Sequence, residues 1–272
     1  FEPQGARLFG GHALEARAEA PTPLSVGLQV SLTVNGKRPA HPWKKGGLQP
    51  GDQLLLSRPL GTGVLFAAAM AGAAQPEDLD HALAQMGTSQ HPIVEQLQEL
   101  ISLEAKTKAK AQPSCTDVTG FGLLGHLGEM LQASCQNLQV VLDGSAIPAL
   151  PGALKLLKEK YASSLAPANR RAWSLLDPSQ DHPAKVSLAG AGRGVDPEDQ
   201  QAMLELLVDP QTCGPLLLSC SGAMADALLQ AHDTPWHRIG VVSASRADAA
   251  DASAAIPLQA LGPAANPGPT DP

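Results

Sequence analysis

Aromatic residues are scarce in this chain: 4 Phe, 1 Tyr and 3 Trp make up 3% of 272 residues. Trp43, Trp173 and Trp236 are scattered and read as core or interface anchors, so no row of rings is available to stack on bases. Positive charge is also in the minority, with 19 Lys and Arg against 26 Asp and Glu, a net charge of −7 and a pI near 5.6. Binding to a phosphate backbone needs clustered Lys and Arg, so nucleic acid is excluded as a partner. The four cysteines, Cys115, Cys135, Cys213 and Cys220, form no C-x-x-C pair. That excludes a disulfide scaffold and points to free thiols in a reducing cytoplasm. No apolar run reaches the roughly 20 residues that span a bilayer, and the first residues carry no signal-peptide pattern. No membrane partner is expected. The chain also lacks a starting Met, so it is expected to begin inside a longer protein.

What is present is a globular composition, 43% hydrophobic, long enough for one large domain or two ordinary ones. Leu24–Val34 alternates apolar and polar residues and reads as a half-buried strand closed by Asn35–Gly36. Short apolar strands are predicted over Gln53–Ser57, Leu138–Asp143, Leu216–Cys220 and Arg238–Ser243. Helical spacing or propensity predicts helices over Val64–Ala74, Pro76–Met86, Ile93–Ala105, Leu154–Tyr161, Gln200–Val208 and Met224–Gln230. Strands and helices intermix without a strict βαβ rhythm. The expected fold class is therefore α/β or α+β, with a mixed sheet and flanking helices. Residues beyond Ala244 are mostly Ala, Asp, Ser and Pro, and read as a disordered tail.

The chemistry concentrates in Thr116–His126, TDVTGFGLLGH. Ser114–Val118 leads into it, and Phe121, Leu124, Leu127 and Leu131 recur at helical spacing, so a helix is predicted from near Gly120. Asp117 thus stands between a strand end and a helix start. Gly120, Gly122 and Gly125 allow backbone amides close to a ligand, some with positive φ. A helix N-terminus favours an anion, and a carboxylate beside phosphate is a natural magnesium ligand. A plain glycine-rich turn with Asp117 as N-cap is the structural alternative.

DVTGFGLLGH closely resembles the string found in selenophosphate synthetases, also called selenide, water dikinases. KGGLQPGD at Lys45–Asp52 and RPLGTG at Arg58–Gly63 resemble other segments of that family. AIPALPGAL at Ala146–Leu154, SSLAPANR at Ser163–Arg170 and DPQTCG at Asp209–Gly214 follow in family order, and GGH at Gly10–His12 precedes them all. The resemblance runs from about Leu8 to about Val242. The family belongs to a larger group with aminoimidazole ribonucleotide synthetase and thiamine-monophosphate kinase.

The resemblance implies an aminoimidazole ribonucleotide synthetase-like C-terminal domain over 39–246. Residues 1–38 would close an N-terminal ATP-binding and dimerisation domain, with a tail over 247–272. It implies phosphorylation of selenide by ATP, with Mg2+, to give selenophosphate, AMP and phosphate. It implies a cytoplasmic homodimer, Asp117 as a metal ligand, and Gly10, Gly11 and His12 in nucleotide binding. The family's reactive Cys or selenocysteine and its other metal carboxylates lie before GGH, so no catalytic residue is assigned in this chain. Three departures stand out. Ala13 occupies a position that usually carries a hydroxyl, Arg58 replaces a usual Lys, and Cys213 and Pro215 alter a usual DPQTSGG.

The remaining candidates have two readings each. His126 reads as packing against the sheet or orienting the loop, and Cys115 as a small buried thiol or a redox sensor. Lys44 and Lys45 read as a solvated turn or a phosphate contact. Arg170 and Arg171 read as a surface pair or an anion contact. Thr62 and Thr119 either meet phosphate or stabilise their own turns.

Overall fold

A computed structural model describes residues 42–106, 112–134, 137–177, 185–190, 196–231 and 235–244, together with two short strands nearer the N-terminus. Gly10, Gly11, His12, Ala13 and the tail expected over 247–272 lie outside the described residues. The chain divides into two compact units, Phe1–Pro42 and Trp43–Pro272. In the first, strands β1 (Leu14–Glu15) and β2 (Leu28–Gln29) pair antiparallel, Leu14 opposite Gln29. The described part of the Leu24–Val34 expectation is β2, and it is a strand.

The second unit is built on β3 (Gln53–Leu56), β4 (Ser114–Asp117), β5 (Leu138–Asp143), β6 (Val186–Ala189), β7 (Leu216–Cys220) and β8 (His237–Ala244). They form one sheet in the order β4-β7-β3-β8-β5-β6. Every pairing is antiparallel except β5 with β6, so the sheet is mixed, as expected. Its helices are α1 (Thr62–Met70), α2 (Pro76–Gly87), α3 (His91–Lys106), α4 (Gly122–Gln132), α5 (Ala153–Lys158), α6 (Ala166–Asn169), α7 (Pro197–Val208) and α8 (Gly222–Gln230).

The period of two along β3 explains the layering. Leu54 and Leu56 point into one cluster, with Leu123, Leu124 and Leu127 of α4 and Leu206 and Leu207 of α7. Leu55 points the other way, to Ile93 and Leu97 of α3, Met224 and Leu228 of α8, and Trp236. All three leucines are fully buried, and helices cover both faces of the sheet. Each contributes about 1.5–3 kcal/mol of apolar burial. Truncating Leu55 to Ala, which leaves a cavity as well, costs about 2–5 kcal/mol. Strands buried on both sides read as continuous apolar runs, and QLLL and LLLSC are such runs.

Several short elements went unread in the sequence, β1 among them. β6 is only four residues at a sheet edge, and α6 with the 3-10 turn Arg170–Leu175 carries Pro, Arg and Ser among its few apolar residues. Helix α1 ends at Met70, short of the expected Ala74, because Gly72 at φ +71° turns the chain out.

Candidate metal and phosphate site

Asp117 is the last residue of β4, where it pairs with Leu216 of β7. Its side chain is exposed, while Thr116 and Val118 on either side are buried. Alternation along the strand therefore turns this carboxylate out of the core at the sheet's edge. It takes no hydrogen bond from another described residue, so its oxygens are free to bind a cation. A Cβ built at Gly120 meets no atom within 4 Å, which leaves open space beside the carboxylate's loop. Helix α4 begins just beyond, at Gly122, whose amide donates to Thr119 O at 3.0 Å.

The loop is held from three directions. The Val118 amide donates to Pro215 O at 2.8 Å, and the Gln211 amide donates to Thr119 O at 3.0 Å. Asn169 Nδ2 donates to Gly120 O at 2.8 Å and to Val208 O at 3.0 Å. Gly122 adopts φ +71°, and a Cβ there would lie 2.7 Å from the Val208 carbonyl carbon. Of the three loop glycines, Gly122 alone takes positive φ, and it serves packing against α7. The segments SSLAPANR and DPQTCG, apart in sequence, thus converge on TDVTG.

His126 is buried and does more than pack. Its Nε2 lies 3.3 Å from Thr119 Oγ1 and its Nδ1 lies 3.1 Å from Glu129 Oε2. Lys45 Nζ donates to the same Glu129 oxygen at 2.7 Å. Desolvation lowers the proton affinity of His126, against the pull of Glu129, so the neutral ring is favoured. The hydrogen bond from Lys45 holds the Glu129 carboxyl below its usual range. Lys45 is therefore paired rather than simply solvated, and Thr119 is tied to the helix that follows it.

The second loop, RPLGTG, behaves differently from a phosphate loop. Gln211 Oε1 accepts from the amides of Gly61 and Thr62 at 3.0 and 3.3 Å, and Asp209 Oδ2 accepts from Gly63 at 3.0 Å. The N-terminus of α1 is thus capped by side chains of DPQTCG. Gln211 Nε2 in turn donates to Asp209 Oδ2 at 2.9 Å. Thr62 Oγ1 accepts from the Thr212 amide, which settles Thr62 as a turn residue. Arg58 is buried, and its guanidinium donates to the carbonyls of Gln85, Thr88 and Cys213 at 2.9–3.1 Å. Its charge is spent on the protein's own main chain. A lysine offers no matching planar fork.

Asp209 is almost fully buried, and burial pushes its carboxyl up to about 7. The nearby Val64 amide opposes that rise without making a hydrogen bond of good geometry, and Oδ1 has no partner. Burial, then Asp117, pushes the Cys115 thiol up to about 12, so Cys115 stays protonated and unreactive. Arg170 pairs with Glu205 at 2.9 Å, and Arg171 lies over the Phe121 ring at 5.9 Å. Cys213 is exposed at φ +50°, a backbone conformation unusual outside glycine. Sequence reasoning placed Asp117 but gave no role to Asn169, Asp209 or Gln211. Their signal was available as polar residues inside apolar surroundings, in the strings that match the family.

Among the described residues no group of three His, Cys, Asp or Glu side chains converges as a complete metal site. Asp117 fits magnesium as one oxygen ligand, since that ion commonly takes one or two carboxylates and completes its shell with phosphate and water.

The AIR synthase related protein, C-terminal domain family matches residues 49–252, and the chain belongs to that family. The chain is 33% identical over 241 residues to the selenide, water dikinase of Nitratidesulfovibrio vulgaris (strain DP4), covering 88% of this chain and 59% of that protein. It is 33% identical over 225 residues to the protein of the same name from Geobacter metallireducens, covering 83% and 55%. The chain thus spans between half and two thirds of the length of these curated relatives. Similar solved structures include thiamine monophosphate kinase from Aquifex aeolicus, at 15% identity and a TM-score of 0.44, covering 75% of this chain and 51% of that one. E. coli HypE, a hydrogenase maturation protein, is similar at 16% identity and a TM-score of 0.44, covering 75% and 47%.

Proposed function

We propose that this chain is part of a selenide, water dikinase: an enzyme that uses ATP and Mg2+ to make selenophosphate from selenide, releasing AMP and phosphate. The observation that carries the reading is the exposed Asp117 carboxylate, at a strand end whose loop is held by two distant segments that both resemble the family in order. In this reading Asp117 holds one magnesium ion. When bound, that ion neutralises triphosphate charge and orients the phosphates.

The chain's own residues do the positioning. Val118 and Thr119 are fixed by Pro215 and Gln211, and Gly120 by Asn169, so the carboxylate meets the metal without reorganising. The α4 N-terminus follows this loop directly, and a helix N-terminus favours anionic phosphates. Gly10, Gly11 and His12 contribute to the nucleotide site, where small residues let the main chain approach phosphate oxygens. The enzyme works as a cytoplasmic homodimer.

The test is the product nucleotide of the full-length protein. AMP and phosphate that form only when selenide is present support the reading. Selenide-independent formation of ADP with another small acceptor supports a related kinase instead. Nucleotide binding without turnover supports an inactive paralogue, the reading that Ala13 in place of a hydroxyl residue favours.

A further inference from the structure

The hydrogen-bond ladder of β4 fixes where the Asp117 main chain points. In an antiparallel pair, alternate residues turn both N–H and C=O toward the partner strand. The Val118 amide donates to Pro215 O at 2.8 Å, so Val118, Thr116 and Ser114 face β7. Cys115 and Asp117 then face outward, because β4 is the last strand on that side of the sheet. Among the described residues the cover there is Lys44, which pairs parallel with Ser114 and whose carbonyl accepts from the Cys115 amide at 2.9 Å. In a parallel ladder continued by one step, Gly46 O would accept from the Asp117 amide. Gly46 O instead accepts from Ser114 Oγ at 3.0 Å. Gly47 then turns at φ +111°, and the Gly47 and Leu48 amides donate to Ser134 Oγ at 3.1 and 3.2 Å. The covering segment is drawn off toward the end of α4 at the point where it would reach Asp117. The Asp117 amide therefore pairs with no described residue, and it stands beside a carboxylate that takes no hydrogen bond from one either.

We infer that the Asp117 amide is an anion donor: it gives its hydrogen bond to an oxygen of the phosphate that shares the metal held by the Asp117 carboxylate. This rests on the reading of Asp117 as a metal ligand. The two groups are complementary to a metal–phosphate pair, whose cation needs an acceptor and whose anion needs a donor. One residue at a strand end offers both. The bonds from Cys115 to Lys44 and from Val118 to Pro215 hold the main chain on either side, so the N–H direction is set before any ligand arrives. A strand added to this edge is the competing occupant. The four-residue length of β4 and the charge of Asp117 both disfavour it.

The test is hydrogen exchange of the full-length protein, resolved to single amides. It is recorded without ligand, with Mg2+ alone, and with Mg2+ plus a non-hydrolysable ATP analogue at a concentration that saturates the protein by calorimetry. The Cys115 and Val118 amides, bonded within the protein, are expected to exchange slowly in all three. The Asp117 amide is expected to exchange fast without ligand and with Mg2+ alone, and to slow about tenfold or more when the analogue is bound. An Asp117 amide as fast with bound analogue as without it overturns the inference. So does one that Mg2+ alone slows, and so does one already slow without ligand, since a protein segment then covers the edge. A Mn2+ titration of Asp117→Asn, which keeps the amide and loses the charge, tests the underlying reading separately. Parent-like Mn2+ affinity in that variant sinks the metal reading. Weakened affinity there, with an amide the analogue leaves unprotected in the parent protein, sinks only the role of the amide. An analogue that does not bind the parent protein at all sinks the ATP-dependent reading on which both rest.

Discussion

Asn169 and Gly120 lie 49 residues apart in sequence, yet the Asn169 amide donates to the Gly120 carbonyl oxygen at 2.8 Å, and its second bond, to Val208 O at 3.0 Å, fastens the same loop to helix α7. One buried side chain thus ties the metal loop to the helix behind it. Both carbonyls would lose a donor if the amide were removed, and a buried acceptor left unpaired is costly.

Asn169→Ala is accordingly expected to destabilise the full-length protein by about 1–3 kcal/mol in urea unfolding. It is also expected to weaken Mn2+ binding at Asp117, because the loop loses a fixed point. A variant as stable as the parent with unchanged metal binding would show that the bridge is incidental.

Gly122→Ala tests the second anchor. Its φ of +71° disfavours any side chain, and a Cβ would press on the Val208 main chain. The expected loss is more than about 2 kcal/mol, combining backbone strain with a clash that main-chain atoms cannot easily relieve. Gly120→Ala, by contrast, adds its Cβ to open space and is expected to leave stability nearly unchanged. The pair of melting temperatures checks both statements.

Asp209 predicts an unusual pH dependence. Its folded-state value, about 7, stands above the ordinary 3.8, chiefly through burial, with Glu205 adding to the rise. The folded state therefore holds more protons than the unfolded state between about pH 4 and pH 7. By linkage, this group's contribution makes stability fall as pH rises through that window. His126, whose proton affinity is lowered, contributes in the opposite sense below its ordinary 6.5. Comparing denaturation of the parent protein and Asp209→Asn across pH 4–8 isolates the first effect: the fall with rising pH is expected to shrink in the variant. An identical profile in both proteins would contradict the assignment.

The sequence was informative about β5 and β7, whose predicted spans match the structure: β7 is an apolar run buried almost throughout, and β5 alternates buried Leu138, Val140 and Leu142 with more exposed residues. It located Asp117 at a strand end just before a helix, and that is where the structure has it. It was silent on β6, whose four residues pair parallel at the sheet edge and carry too little pattern to read. It left Thr62 open as a phosphate contact or a turn residue, since a capped helix and an anion-binding helix have the same glycine-rich entrance. What distinguishes them is Asp209 and Gln211 arriving from about 150 residues away, a pairing that no local pattern announces.

The central claim is that Asp117 binds the metal that serves phosphoryl transfer. The most direct measurement is the Mg2+-dependent, selenide-dependent release of AMP by the full-length protein carrying Asp117→Asn, together with its melting temperature. The account predicts a loss of about a hundredfold or more in rate, since a charge-neutralising ligand is removed. Melting is expected to be nearly unchanged, because the side chain is exposed and bonded to no described residue. Parent-like activity in a folded variant would contradict the claim.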